Sequence, residues 1–72
     1  MRIISIEKNT ASIQLNLNEM MTFHQALNEV CNALDIDDFS TRMGTDLHSA
    51  KELLKQTYHL LVSMQGLQKS ND

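Results

Sequence analysis

The chain has 72 residues, of which 42% are apolar and 21% charged, with one cysteine, no proline, no tryptophan and a formal net charge of −3. This length means one domain with a small core, and the apolar content excludes a disordered chain. A lone cysteine excludes an internal disulfide framework. The negative charge argues against a strong non-specific nucleic-acid binder, whose affinity comes from Lys and Arg on phosphates, and no stretch approaches the roughly 20 apolar residues of a membrane span.

The opening residues "MRIISIEKNT" meet a charge at Glu7 before any apolar run of export-signal length. Together with the lone cysteine, this predicts a protein of the reducing cytoplasm. Ile4 and Ile6 alternate with Ser5 and Glu7, and Ile13, Leu15 and Leu17 alternate with Ser12, Gln14 and Asn16. Such alternation is the pattern of half-buried strands. Residues 2–17 therefore read as an antiparallel hairpin turned at Lys8-Asn9, where Asn tolerates left-handed backbone.

Asn18 then reads as an N-cap, with Glu19 at the positive end of the helix dipole, and the first helix is predicted over 19–34. Its apolar face is Met20, Phe23, Leu27, Val30 and Leu34; His24 and Cys31 sit at the margin, and Gln25, Glu29 and Asn32 point away. Asp35, Asp37 and Asp38 end it, because Asp competes with the helical backbone. Ile36, Phe39 and Met43 are apolar pegs on a short helical turn over 36–42, closed by Gly44 with positive φ. Thr45 or Asp46 caps the last helix, whose stripe runs through Leu47, Ala50, Leu54, Thr57, Tyr58, Leu61 and Met64, flanked by Leu53 and Leu60. Ser49 and Glu52 make a capping box that would start this helix later. Gly66 is the expected stop, with Leu67 folding back.

The predicted fold class is α+β: an N-terminal antiparallel β-hairpin followed by two α-helices (ββαα), one domain over 1–67 with a frayed tail over 68–72. A two-stranded hairpin is barely stable alone, and its free edges invite another strand. The apolar surface is also wider than one hairpin and one helix can cover. A twofold homodimer is expected, joined through the strand edges or the last helix.

No catalytic, cofactor or metal set emerges from the residues. His24 and Cys31 share a helix face but lie about 10 Å apart along the axis, too far for a thiolate–imidazole pair, which leaves His48 or His59 of the last helix as the other imidazoles for Cys31. "DIDDFSTRMGTD" has acids at its first, third, fourth and last positions, yet its glycine is misplaced for a calcium loop and no closing Glu follows. His24, His48 and His59 lack metal spacing, and the Met residues fit core filling. Residues 38–55 can be laid on a helix-turn-helix, with Gly44 at the bend and Asp46, His48, Ser49, Lys51, Glu52 and Lys55 towards the major groove. That face is charge-neutral and lacks the Arg that usually reads guanine, so nucleic acid is the disfavoured partner.

The run Leu27-Asn28-Glu29-Val30-Cys31-Asn32, with Asp38-Phe39 and Thr41-Arg42-Met43-Gly44, resembles a set of small uncharacterised bacterial proteins that pair a short hairpin with two helices. The resemblance covers nearly the whole chain and implies no activity. It singles out Asn28, Glu29, Cys31, Phe39, Thr41, Arg42 and Gly44 as an interaction or connector surface. Asn28 and Glu29 are then expected to hydrogen-bond the following loop, and Arg42 to pair with Glu29 or an acid of 35–38. The function these readings support is a non-enzymatic protein-binding or regulatory module acting as a homodimer, an accessory or immunity-type inhibitor without cofactor. The alternative is a helix-turn-helix-like DNA-binding regulator using 38–55.

Overall fold

The computed structural model describes residues 1–70. Two antiparallel strands, β1 (Arg2–Ile6) and β2 (Ala11–Gln14), are followed by helix α1 (Leu17–Asn28), a π turn (Glu29–Ala33), the short helix α2 (Phe39–Met43) and the long helix α3 (Leu47–Ser70). This is the expected α+β order, hairpin first and helices after.

The hairpin turns over residues 7–10, closed by the Glu7 N–H on the Thr10 carbonyl at 2.8 Å. Its register differs from simple alternation. Arg2 faces Gln14 and Ile3 faces Ile13, but Ser5 faces Ser12 and Ile6 faces Ala11, so Ile4 is an extra residue in a bulge. Directly opposed residues share a sheet face. One face is therefore Ile3, Ile6, Ala11 and Ile13, and the other is Arg2, Ser5, Ser12 and Gln14. The bulge replaces the Ile4/Ile6 pair expected from alternation with Ile3/Ile6. Every residue of both strands is exposed, with Ile3 at 60% and Ile6 at 74%.

Helix α1 begins two residues before its expected start. The cap is Asn16, not Asn18: its side-chain oxygen accepts from the Glu19 N–H at 2.8 Å, and the Glu19 carboxylate accepts from the Asn16 N–H at 3.0 Å. Two donors that a helix start leaves unpaired are thus satisfied reciprocally. Leu17 belongs to this helix, not to the strand. Glu19 also receives the Met1 ammonium.

The helix does not run unbroken to residue 34. It widens after Asn28 into the π turn, where the Leu34 N–H reaches back five residues to the Glu29 carbonyl at 2.9 Å. Leu34 itself is extended and exposed. Asp38 then adopts left-handed backbone (φ 56°), as Asp can, and α2 follows over 39–43 rather than 36–42. Gly44 takes the expected positive φ, 71°, and its N–H closes on the Ser40 carbonyl at 2.9 Å. Asp46 caps α3: its carboxylate accepts from the Ser49 N–H at 2.7 Å, and its carbonyl from the Ala50 N–H at 3.0 Å.

The main packing contact is α1 against α3. On α3 the buried and half-buried positions include Ala50, Leu54, Thr57, Leu61 and Met64 of the expected stripe, together with Ser49, while Leu47 and Tyr58 are exposed. On α1 the inward face is rotated from the expected one. Met20 is buried and His24 and Leu27 are half-buried, whereas Phe23 is exposed. The His24 ring takes the inner place because Thr57 offers its Nδ1 a hydrogen-bond partner at 2.8 Å. The fully packed apolar core is small: Met20 (4% exposed), Ala50 (1%) and Leu61 (8%).

Helix α3 does not stop at Gly66. It continues to Ser70, so the start of the expected frayed tail is helical, and residues 71–72 lie outside the described residues. The two glycines therefore carry opposite expectations. A Cβ at either meets nothing within 4 Å, but only Gly44 has positive φ. Gly66→Ala should raise stability by about 0.5–1 kcal/mol through helix propensity, and Gly44→Ala should lower it by about 1–2 kcal/mol through left-handed strain. Thermal melting of the two variants beside the native chain checks both signs.

Glu19 and Asp46 also make stability depend on pH. The Met1 ammonium, aided by the Asn16 N–H, holds the Glu19 carboxyl below its ordinary range, and the Ser49 backbone and side-chain groups do the same for Asp46. Each group then binds fewer protons folded than unfolded at acid pH, so its stabilisation is full above the unfolded value and is lost as pH falls through the folded one. Melting temperature should fall below about pH 4. Asp46→Asn keeps a cap acceptor but no titration there, so its melting curve should shift less between pH 6 and pH 3.

Candidate functional site

The flanks of the α1–α3 contact form a cleft lined by His24, Asn28, Asn32, Lys51, Lys55 and Tyr58, with Leu54 at its floor. Sequence spacing explains the arrangement. His24 and Asn28 stand four residues apart on α1, with Asn32 following in the π turn, and Lys51, Lys55 and Tyr58 fall at i, i+4 and i+7 on α3. Each series makes a polar edge beside an apolar stripe.

Hydrogen bonds orient several of these groups. Thr57 Oγ1 donates its single proton to the Leu54 carbonyl at 2.9 Å. His24 Nδ1 lies 2.8 Å from the same oxygen, a hydrogen bond that fixes the ring. Asn32 Nδ2 donates to Asn28 Oδ1 at 3.0 Å, which leaves the Asn28 amide group as a donor. The His24 ring lies 6.2 Å from that of Tyr58. Lys55 stands 3.9 Å from Glu52, and Lys51 forms no ion pair among the described residues.

Of the residues singled out from the sequence, Asn28 alone lines this cleft. Glu29 opens the π turn and is exposed, and Cys31 is half-buried within it. Phe39 begins α2, half-buried with Ile36 and Met43 as the expected pegs. Thr41 Oγ1 donates to the Asp38 carboxylate at 3.1 Å, and the Gly44 turn closes the segment. Two expected contacts differ. Arg42 makes no ion pair with Glu29 or with an acid of 35–38 among the described residues; its backbone N–H bonds the Asp38 carbonyl at 3.2 Å, and the side chain is exposed. Asn28 bonds within the π turn, not to the following loop, and Glu29 holds the turn's exit only through its backbone carbonyl.

A second depression lies between the hairpin and the helices. Ile13 and Leu15 form one wall, and Met20, Leu60 and Met64 the other. It is apolar and continuous with the Ile3/Ile6/Ala11/Ile13 face through Ile13. Leu60, a flank of the last helix by spacing, lines this depression opposite the hairpin residues.

Among the described residues, no group of His, Cys, Asp and Glu side chains is placed to hold a metal ion, and no helix is long and apolar enough to cross a membrane. No family model, curated protein or solved structure matches the chain.

Proposed function

We infer that this protein is a homodimeric binding module that acts through protein contacts, as an accessory or immunity-type inhibitor. The observation that carries the dimer is surface area. A folded monomer of 8.2 kDa ordinarily exposes about 4,500 Å², whereas this chain exposes 5859 Å². The excess, about 1,300 Å² per chain, would give a twofold interface of about 2,600 Å², in the range of obligate dimers. The radius of gyration is 14.3 Å, against about 11 Å for a compact chain of this length.

The apolar face of the hairpin contributes to this exposed surface, with Ile3, Ile6 and Ile13 all exposed. This face and the Ile13–Leu60 groove form one surface, and a second copy is the occupant whose own matching surface needs covering. The acidic balance of the chain, nine acids to six bases, would then favour a basic protein as the dimer's further partner. A cytoplasmic setting fits the free Cys31. The five-residue α2 forms no packing layer with α3 comparable to that of α1, which weakens support for a groove-reading helix and leads us to prefer protein over DNA.

Sedimentation equilibrium at micromolar concentration tests the reading. A species of twice 8.2 kDa is expected; a monomer across that range would overturn it.

A further inference from the structure

We propose that the α1–α3 cleft is a binding site for a phosphoryl group, taken as a phosphate monoester. The chain is acidic overall, yet the cleft wall contains no carboxylate. Two of the chain's six basic residues, Lys51 and Lys55, stand there one helical turn apart. Like charges at this spacing repel. Glu52 offsets only one of them, at 3.9 Å from Lys55, and an anion held between the two ammonium groups would relieve the rest. Lys is suited to a phosphoryl group as a compact point charge with several donors.

The opposite wall supplies neutral donors. With Asn28 Oδ1 already accepting from Asn32, the Asn28 amide group can donate into the cleft. The π turn contributes independently. It begins directly after Asn28 and contains Asn32, so the wider turn re-aims Asn32 relative to an unbroken α-helix, a distortion that recurs at functional sites. The Tyr58 ring beside the polar groups can cover the organic part of the ester, with its hydroxyl at the rim. This cleft shares no residue with the hairpin groove, so the proposal stands apart from the dimer.

The test is an amide-resolved NMR titration of the full chain with phenyl phosphate, inorganic phosphate and benzoate at constant ionic strength. Saturable shifts at Asn28, Asn32, Lys51 and Lys55 are expected with phenyl phosphate, weaker ones with inorganic phosphate, and little change with benzoate. Lys51→Met with Lys55→Met should weaken binding at least about tenfold through loss of charge-assisted contacts. Asn32→Ala should weaken it several-fold at unchanged charge. Lys8→Met, in the hairpin loop, should leave it unaltered. The substituted positions Lys8, Asn32, Lys51 and Lys55 are exposed, and the spectra report whether each variant is folded. Non-saturable shifts, equal binding of benzoate, or full binding by the double Lys variant would overturn the site.

Discussion

A chain carrying Ile3→Lys and Ile6→Lys should keep its helical content and lose its self-association. In the single chain these side chains are 60% and 74% exposed, so lysine there removes little packing, and lysine is a residue that natural proteins use on free strand edges. In the proposed dimer both isoleucines are covered. Burying one is worth about 1.5–3 kcal/mol, so two contribute about 3–6 kcal/mol, and at about 1.4 kcal/mol per tenfold the dissociation constant rises at least ~100-fold. Circular dichroism checks the fold and sedimentation equilibrium the mass. Ser5→Lys, on the opposite face of the hairpin, should leave the dimer intact. A double variant that still sediments with native affinity would place the interface off this face and remove the main support for the proposed function.

That face shows where sequence pattern is informative and where it stops. Two strands, their polarity and the turn between them follow from alternation. The bulge does not, because period two puts Ile4 with Ile6, and only the paired register brings Ile3 and Ile6 together. The adjacent isoleucines Ile3-Ile4 were the available hint: one of two consecutive apolar residues must break the alternation. A similar ambiguity hid the start of α1. Leu15 and Leu17 continue the strand period, yet Asn16-x-x-Glu19 is a four-residue capping box, and Leu17 fits the helix equally well. Local hydrogen bonding decided between two periodicities that the apolar residues alone left balanced.

The cleft was legible in spacing but not in chemistry. His24, Asn28 and Asn32 form a four-residue polar series, and Lys51, Lys55 and Tyr58 form its counterpart, but nothing local says that the two edges meet. His24 turns inward because Thr57, thirty-three positions away, hydrogen-bonds its ring, a tertiary fact that displaces Phe23 from the face apolarity alone would assign it. The π turn likewise lacks a side-chain signature. At the other end, Gly66 was a plausible stop by propensity, but a helical glycine costs only about 1 kcal/mol, too little to end a helix by itself.

Leu61→Ala should be the most damaging single substitution within one chain. Thr57, which bonds His24 of α1, fixes the inward side of α3, and Leu61 follows it by one turn with only 8% of its surface exposed. Truncating such a leucine removes its transfer free energy and leaves a cavity, together about 2–4 kcal/mol. A domain of this length has roughly 4–11 kcal/mol in total. The loss is therefore a large fraction of the whole, because Met20 and Ala50 are the other members of the core, and Ala50 contributes little apolar area. Urea unfolding should show a lower midpoint with an unchanged slope. Leu60→Ala separates core from interface. Leu60 is exposed in the single chain and lines the groove beside Ile13, so its truncation should leave chain stability nearly unchanged at concentrations below the dimer's dissociation constant and lower it above. Stability of the Leu60 variant that falls equally at all concentrations would mean that the groove is packed within one chain, not covered by a second.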